Sequence, residues 1–180
     1  DERGRVDVLV NNAGVVHPRK PVEEIRHEDF DPAFETHFCG PLAFIEGVLP
    51  GMLERKSGVI VNVASKAARY AVPGFAAYNA SKAALLSLTQ TLAKEVEGTG
   101  VRVYSVSPGG MRTEMREAAY GKEDAEKQQD PMWVASKIAE IVSTGKVRGK
   151  YYRADGATWQ PKFLPPLPDS LIARSEAEWE

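Results

Sequence analysis

Apolar residues along this chain follow two alternating rhythms. Short, nearly continuous β-branched runs occur at residues 6–10 (V-D-V-L-V), 58–63 (G-V-I-V-N-V) and 101–106 (V-R-V-Y-S-V), and 150–154 reads as a fourth. Strands buried on both faces have this pattern, and parallel sheets bury both faces. Between the first two runs, Phe34, Phe38, Leu42, Ile45, Leu49 and Met52 recur at spacings of three and four, the stripe of one helix face. Residues 74–96 carry Ala77, Leu85, Leu88, Leu92 and Val96 in a similar rhythm. A third helix is predicted from Asp130-Pro131, with Asp as N-cap, Pro in the first turn, and Val134, Ile138, Ile141 and Val142 facing inward. Strand and helix alternate throughout. That order predicts an α/β fold with right-handed crossovers and a doubly wound parallel sheet.

Two stretches break the rhythm. Residues 112–129 are polar and follow the end of a strand, where a loosely ordered substrate lid would sit. From Gln160 the chain carries Pro161, Pro165, Pro166 and Pro168, read as an extended strap, and 169–179 reads as a short helix. The organisation expected is one domain over 1–160 and a strap over 161–180, with no internal repeat.

Composition narrows the classes. The 180 residues are 43% hydrophobic and 27% charged with a formal net charge of -2, so neither a nucleic acid nor an acidic membrane is the expected partner. Cys39 is the single cysteine, which excludes an internal disulfide and fits a reducing, cytoplasmic setting. No apolar run approaches the roughly 20 residues that cross a bilayer. No metal site is predicted.

The chemistry gathers where strands end: N-N-A-G at 11–14, A-S at 64–65, S-P-G-G at 107–110. In a parallel sheet those ends share one edge, and ligands bind there. In A-A-Y-N-A-S-K-A-A, Tyr78 and Lys82 stand four apart among small residues, which puts them on one helix face with Cβ atoms about 5–6 Å apart. A fixed ammonium favours phenolate. Lowering a phenol from about 10 to about 7 takes roughly 4 kcal/mol of differential stabilisation. Taken alone, Y-x-x-x-K occurs by chance on many helices. Ser65, thirteen residues before Tyr78, is placed to hydrogen-bond the oxygen that Tyr78 protonates; its plainer role is to cap the strand end.

Together, N-N-A-G, Ser65, Y-N-A-S-K at 78–82 and S-P-G-G-M-R-T at 107–113 resemble the short-chain dehydrogenase/reductase family, in order and spacing, over nearly the whole chain. The resemblance implies a Rossmann-like, NAD- or NADP-dependent oxidoreductase that interconverts an alcohol and a carbonyl as a homo-oligomeric dimer or tetramer. It implies Tyr78 as general acid/base, Lys82 as the group that lowers its pKa and holds the nicotinamide ribose, and Ser65 as the orienter of substrate oxygen. Asn12, Ala13 and Gly14 would line the cofactor, and Pro108, Gly109, Met111 and Thr113 would flank the nicotinamide.

Two departures qualify it. The family's usual helical Asn is here His37, in E-T-H-F-C-G-P. Pro41 has no N–H, which frees the carbonyl of His37 to hold a water linked to Lys82. The imidazole is also expected to titrate near neutral pH. The plainer readings are that His37 fills space or marks weakened catalysis. The family's opening T-G-x-x-x-G-x-G phosphate loop does not occur in these residues, and V-D-V-L-V reads as a central strand that would lie at an edge. A partial chain with weak cofactor binding is therefore expected. Two other readings stand beside the enzyme. One is a catalytically impaired binding or regulatory module. The other is a sugar-nucleotide epimerase or dehydratase, opposed by the mere 98 residues after Lys82.

Overall fold

The computed structural model describes residues 4–145 and the strand pair position Tyr151–Tyr152. The strap and short helix expected over 161–180 lie outside the described residues. Four strands, β1 (Val8–Asn11), β2 (Gly58–Val63), β3 (Val101–Val106) and β4 (Tyr151–Tyr152), pair all-parallel in the order β1-β2-β3-β4. Helices alternate with them: α1 (His27–Phe34), α2 (Gly40–Glu54), α3 (Ala76–Glu95), α4 (Glu114–Tyr120), α5 (Lys122–Glu126) and α6 (Pro131–Thr144).

Both faces of the sheet are covered, as the predicted doubly wound architecture requires. On one face Ile45 and Met52 of α2 meet Ile60, Val101 and Leu92 of α3. On the other, Ile141 of α6 closes over Val59, Val61 and Val106. β2 is buried along its whole length, which is why its sequence is almost unbroken by polar residues. β1 differs. It forms one edge, and Val8 and Val10 are 39% and 40% exposed although their pattern is that of a central strand.

Register brings the strand ends level. Asn11 pairs with Asn62, and Val63 with Val106. The β2–β3 ladder runs on past the strands, with Ala64 N–H donating to Val106 O at 2.7 Å and Lys66 N–H to Pro108 O at 3.2 Å. Ser65 is thereby held beside the S-P-G-G segment. A buried polar chain crosses the same edge: Asn11 Nδ2 donates to Asn62 Oδ1 (2.8 Å), Asn62 Nδ2 to Thr89 Oγ1 (2.9 Å), and Thr89 Oγ1 to Leu85 O (2.7 Å). Each buried amide thus finds a partner, the condition for burying it at all.

Two expectations need correction. The stripe from Phe34 to Met52 is not one regular helix. Pro41 removes an N–H and its ring presses on the preceding turn; the chain widens there into a π-turn, Glu35–Cys39, in which Gly40 N–H donates five residues back to Glu35 O. Nor is 112–129 loosely ordered. Thr113 Oγ1 caps α4 by accepting Arg116 N–H at 3.2 Å. Arg116 Nε reaches Asp124 at 2.5 Å across the α4–α5 corner. The segment returns to its own base, where Arg112 N–H donates to Gln129 O at 2.9 Å. α6 starts as predicted, with Asp130 Oδ1 accepting Met132 N–H at 2.8 Å.

The turn into β3 depends on Gly100. Its φ is +87°, and an added Cβ would stand 2.1 Å from Lys56 O. Gly100→Ala is expected to lower stability by at least about 2 kcal/mol. Urea unfolding reads this directly; an unchanged midpoint would contradict it.

Candidate active site

Each residue of Y-N-A-S-K except Ala80 has a defined task at the start of α3. Gly74, with φ +86° and no room for a Cβ beside Arg19, turns the chain into the helix. Asn79 Nδ2 donates to Val72 O at 3.0 Å and ties that turn to the first helical turn. Ser81 Oγ donates to Tyr78 O at 3.0 Å. Lys82, only 4% exposed, runs beneath Tyr78 and donates from Nζ to Val63 O at 2.9 Å. Its Nζ lies 6.0 Å from the Tyr78 ring centroid.

Tyr78 and Ser65 open into one cavity of about 490 Å³ at the carboxyl ends of β2 and β3. Pro108, Gly109, Met111 and Thr113 form a second wall of it, and the α4 lid a third. Ser65 Oγ accepts Ala67 N–H at 3.1 Å, so it caps the short turn Lys66–Ala68 and keeps its own proton to donate. The plain and the chemical readings of Ser65 are compatible in one geometry.

The electrostatics differ from the expectation for Tyr78. Burial pushes its phenol above the usual value; the Ser65 hydroxyl works downward, and the Tyr120 phenol works upward. Lys82 is itself pulled down to about 8 by burial. An ammonium in this position stabilises phenolate only while it stays charged, and its own desolvation opposes that.

Of the other predicted residues, Asn12 and Ala13 are exposed on the turn after β1, outside the cavity lining. Gly14 packs toward His37, where an added Cβ would be 3.4 Å from Nε2 and 3.2 Å from the Met115 methyl. His37 is fully buried in the π-turn, behind Tyr78 and off the cavity. Its Nε2 accepts Val15 N–H at 3.0 Å, so the proton sits on Nδ1, which donates to Ser81 Oγ at 2.8 Å. The imidazole edge meets the Tyr78 ring at 5.3 Å and 89°. Both ring nitrogens are spent. Burial first, and the Lys82 charge second, push its pKa down to about 3, which overturns the expectation of titration near neutrality. The sequence reading also passed over Asn11, whose amide enters the buried chain at this edge, and Val16, Met115 and Tyr120, which line the cavity. A period-3.6 reading of 114–120 would have found the lid face.

The fold is a Rossmann-like α/β unit with Ser65, Tyr78 and Lys82 gathered at its strand ends. Comparison makes the assignment specific: a family described as short chain dehydrogenase matches residues 1–124, and the chain belongs to that family. A 3-oxoacyl-[acyl-carrier-protein] reductase from Thermotoga maritima is 40% identical over 114 residues, covering 63% of this chain and 46% of its own. An NADPH-dependent pterin aldehyde reductase from Arabidopsis thaliana is 32% identical over 143 residues, covering 79% and 59%. Among solved structures, a 3-ketoacyl-(acyl-carrier-protein) reductase from Brucella melitensis complexed with NADH matches with TM-score 0.77 and 29% identity, over 86% of this chain and 68% of that one. The closed form of a serine dehydrogenase complexed with NADP+ matches with TM-score 0.77 and 28% identity, over 85% and 66%. The chain spans about half the length of the first of these curated relatives.

His37 carries a pH signature. The unfolded imidazole takes up a proton near 6.5, whereas the folded one refuses it until about 3, so this residue makes stability fall as pH drops through that window. The expected slope is about 1.4 kcal/mol per pH unit within it. Ring ¹⁵N NMR is expected to show the Nδ1–H tautomer with no titration between about pH 5 and 8. A midpoint inside that interval would contradict the network.

Proposed function

We propose that this chain carries the acid–base centre of a nicotinamide-dependent oxidoreductase that interconverts an alcohol and a carbonyl, with NAD or NADP as cofactor. One observation carries the reading: the Ser65 and Tyr78 side chains line a single cavity at the strand ends, with a buried ammonium beneath them.

The residues present suit the nicotinamide end of such a cofactor. Lys82 has three N–H donors, and among the described residues Val63 O is the one acceptor they meet. A buried ammonium with spare donors calls for more oxygens, and ribose hydroxyls would supply them. Ser107 Oγ, buried without a partner beside Pro108, is a second unspent polar group at this wall. Gly109, exposed next to Pro108, leaves its backbone accessible there. When bound, the nicotinamide donates or accepts hydride at the carbon bearing the oxygen.

The chain's own residues do the remainder. Ser65 donates a hydrogen bond to the carbonyl oxygen and orients it. Tyr78 gives its proton to that oxygen as hydride arrives at carbon, so hydride plus proton converts carbonyl to alcohol. In the reverse direction the phenolate takes the hydroxyl proton back. Lys82 stabilises that phenolate and holds the ribose. Because burial keeps Tyr78 protonated, reduction is the direction the resting site is prepared for. His37 acts as a fixed support for Tyr78, and Asn12, Ala13, Gly14, Met111 and Thr113 are the proposed cofactor-side residues.

The raised phenol pKa also favours a second reading, a binding module of the same fold without turnover. Tyr78→Phe separates the two. On the first reading it lowers carbonyl reduction by at least about 100-fold, with the fold retained by circular dichroism. In the unmutated protein, reduction should fall as pH rises through the Tyr78 pKa while alcohol oxidation gains. Turnover in Tyr78→Phe within about twofold of the parent would contradict the acid–base role of Tyr78, and no carbonyl reduction by the parent itself would leave the binding module as the better account.

A further inference from the structure

Resting on that reading, we propose that the cavity takes an uncharged ketone or secondary alcohol bearing an aromatic or alicyclic ring, seated against a corner built by Phe75 and Tyr120, with Tyr120 the selecting side chain.

The corner is built before any ligand arrives. Phe75 is 2% exposed at the mouth of α3 and cannot move without opening the core. The Tyr120 ring meets it at 5.4 Å, tilted by 39°. The Arg116 guanidinium lies 3.7 Å from the Tyr120 ring centroid. Arg116 is in turn held by Asp124, across the turn at Gly121, whose φ is +87°. A ring held by two neighbours and still partly exposed offers a pre-formed apolar surface and loses little freedom on binding. It lines the same cavity as Tyr78 and Ser65.

The polar side chains of the walls are mostly spent on one another. Thr113 Oγ1 is committed to the α4 cap, and Gln128 Nε2 donates to Asp124 O at 3.0 Å. Arg116 is matched by Asp124, and Lys66 stands at the exposed rim, 5.8 Å over the Tyr70 ring. What remains facing the cavity is Ser65 and Tyr78 at one end, and Val16, Met115, Ala119 and the aromatic corner around them. Two hydroxyls meet one carbonyl oxygen; of the two cations that line the cavity, Arg116 is matched by Asp124 and Lys66 stands exposed at the rim. A carboxylate seated deeper than that rim would be desolvated against a cation already paired.

Saturation-transfer NMR on the 180-residue chain tests this, with acetophenone and cyclohexyl methyl ketone as ring probes and acetone and acetoacetate as small and anionic controls. The ring ketones are expected to bind at least about tenfold more tightly than either control. Tyr120→Ala should weaken them about fivefold and Tyr120→Phe, which keeps the ring, should restore them. Ala119→Phe, filling the same wall, should abolish their binding. Acetoacetate or acetone binding as well as the ring ketones would overturn the proposal, as would indifference to both Tyr120→Ala and Ala119→Phe. Because binding is read without turnover, ring-ketone binding with no nicotinamide-dependent reduction in the intact enzyme would sink the oxidoreductase reading and leave the binding site standing.

Discussion

The whole site depends on one buried hydrogen bond, from the Lys82 ammonium to the carbonyl of Val63. Burying that charge is costly, and its lowered pKa records the cost. The fold accepts it because the interaction joins two elements that must agree: the first turns of α3 and the end of β2. Once Lys82 reaches Val63, Tyr78 one turn earlier faces the strand ends, and Ser65 two residues beyond Val63 lines the same cavity. The chemical group is thus a product of sheet register and helix periodicity acting together.

A second support stands behind the first. His37 joins the turn after β1 to α3 through Val15 and Ser81 and sets its ring edge against Tyr78. Every polar atom of that ring is used in a single tautomer, so the network rigidifies without carrying a proton across it. On the solvent side the arrangement is different. The lid is held by a cap, one ion pair and stacked rings. Such contacts can change without disturbing the sheet, which under the proposed function would make this segment the seat of substrate choice.

Much of this was legible in residues alone. β2 and β3 are written as apolar runs, and Asp130-Pro131 marks a helix start in both sequence and structure. Tyr78 and Lys82 follow from i,i+4 spacing, and Ser65 from its place at a strand end. Other features lie outside what pattern can carry. The direction of the Tyr78 shift depends on how deeply α3 buries it, and no spacing reports depth. His37 looked titratable because a histidine in solution is; its silence comes from Val15 and Ser81, 22 and 44 residues away. Pro41 signalled a disturbed helix, yet the π-turn that absorbs it is a backbone response. The polar lid looked loose because its order comes from Arg116 meeting Asp124 across a turn. β1 shows the reverse case: its sequence reads as central, and its valines stand exposed at the edge of the sheet.

Lysine ¹³Cε NMR, with a pH titration of the folded chain, tests the buried ammonium most directly. One lysine resonance is expected to titrate near 8, far from the others, and to vanish in Lys82→Met. If every lysine titrates together in the usual range near 10.5, Lys82 is solvated, its bond to Val63 is not what positions Tyr78, and the account of the site fails.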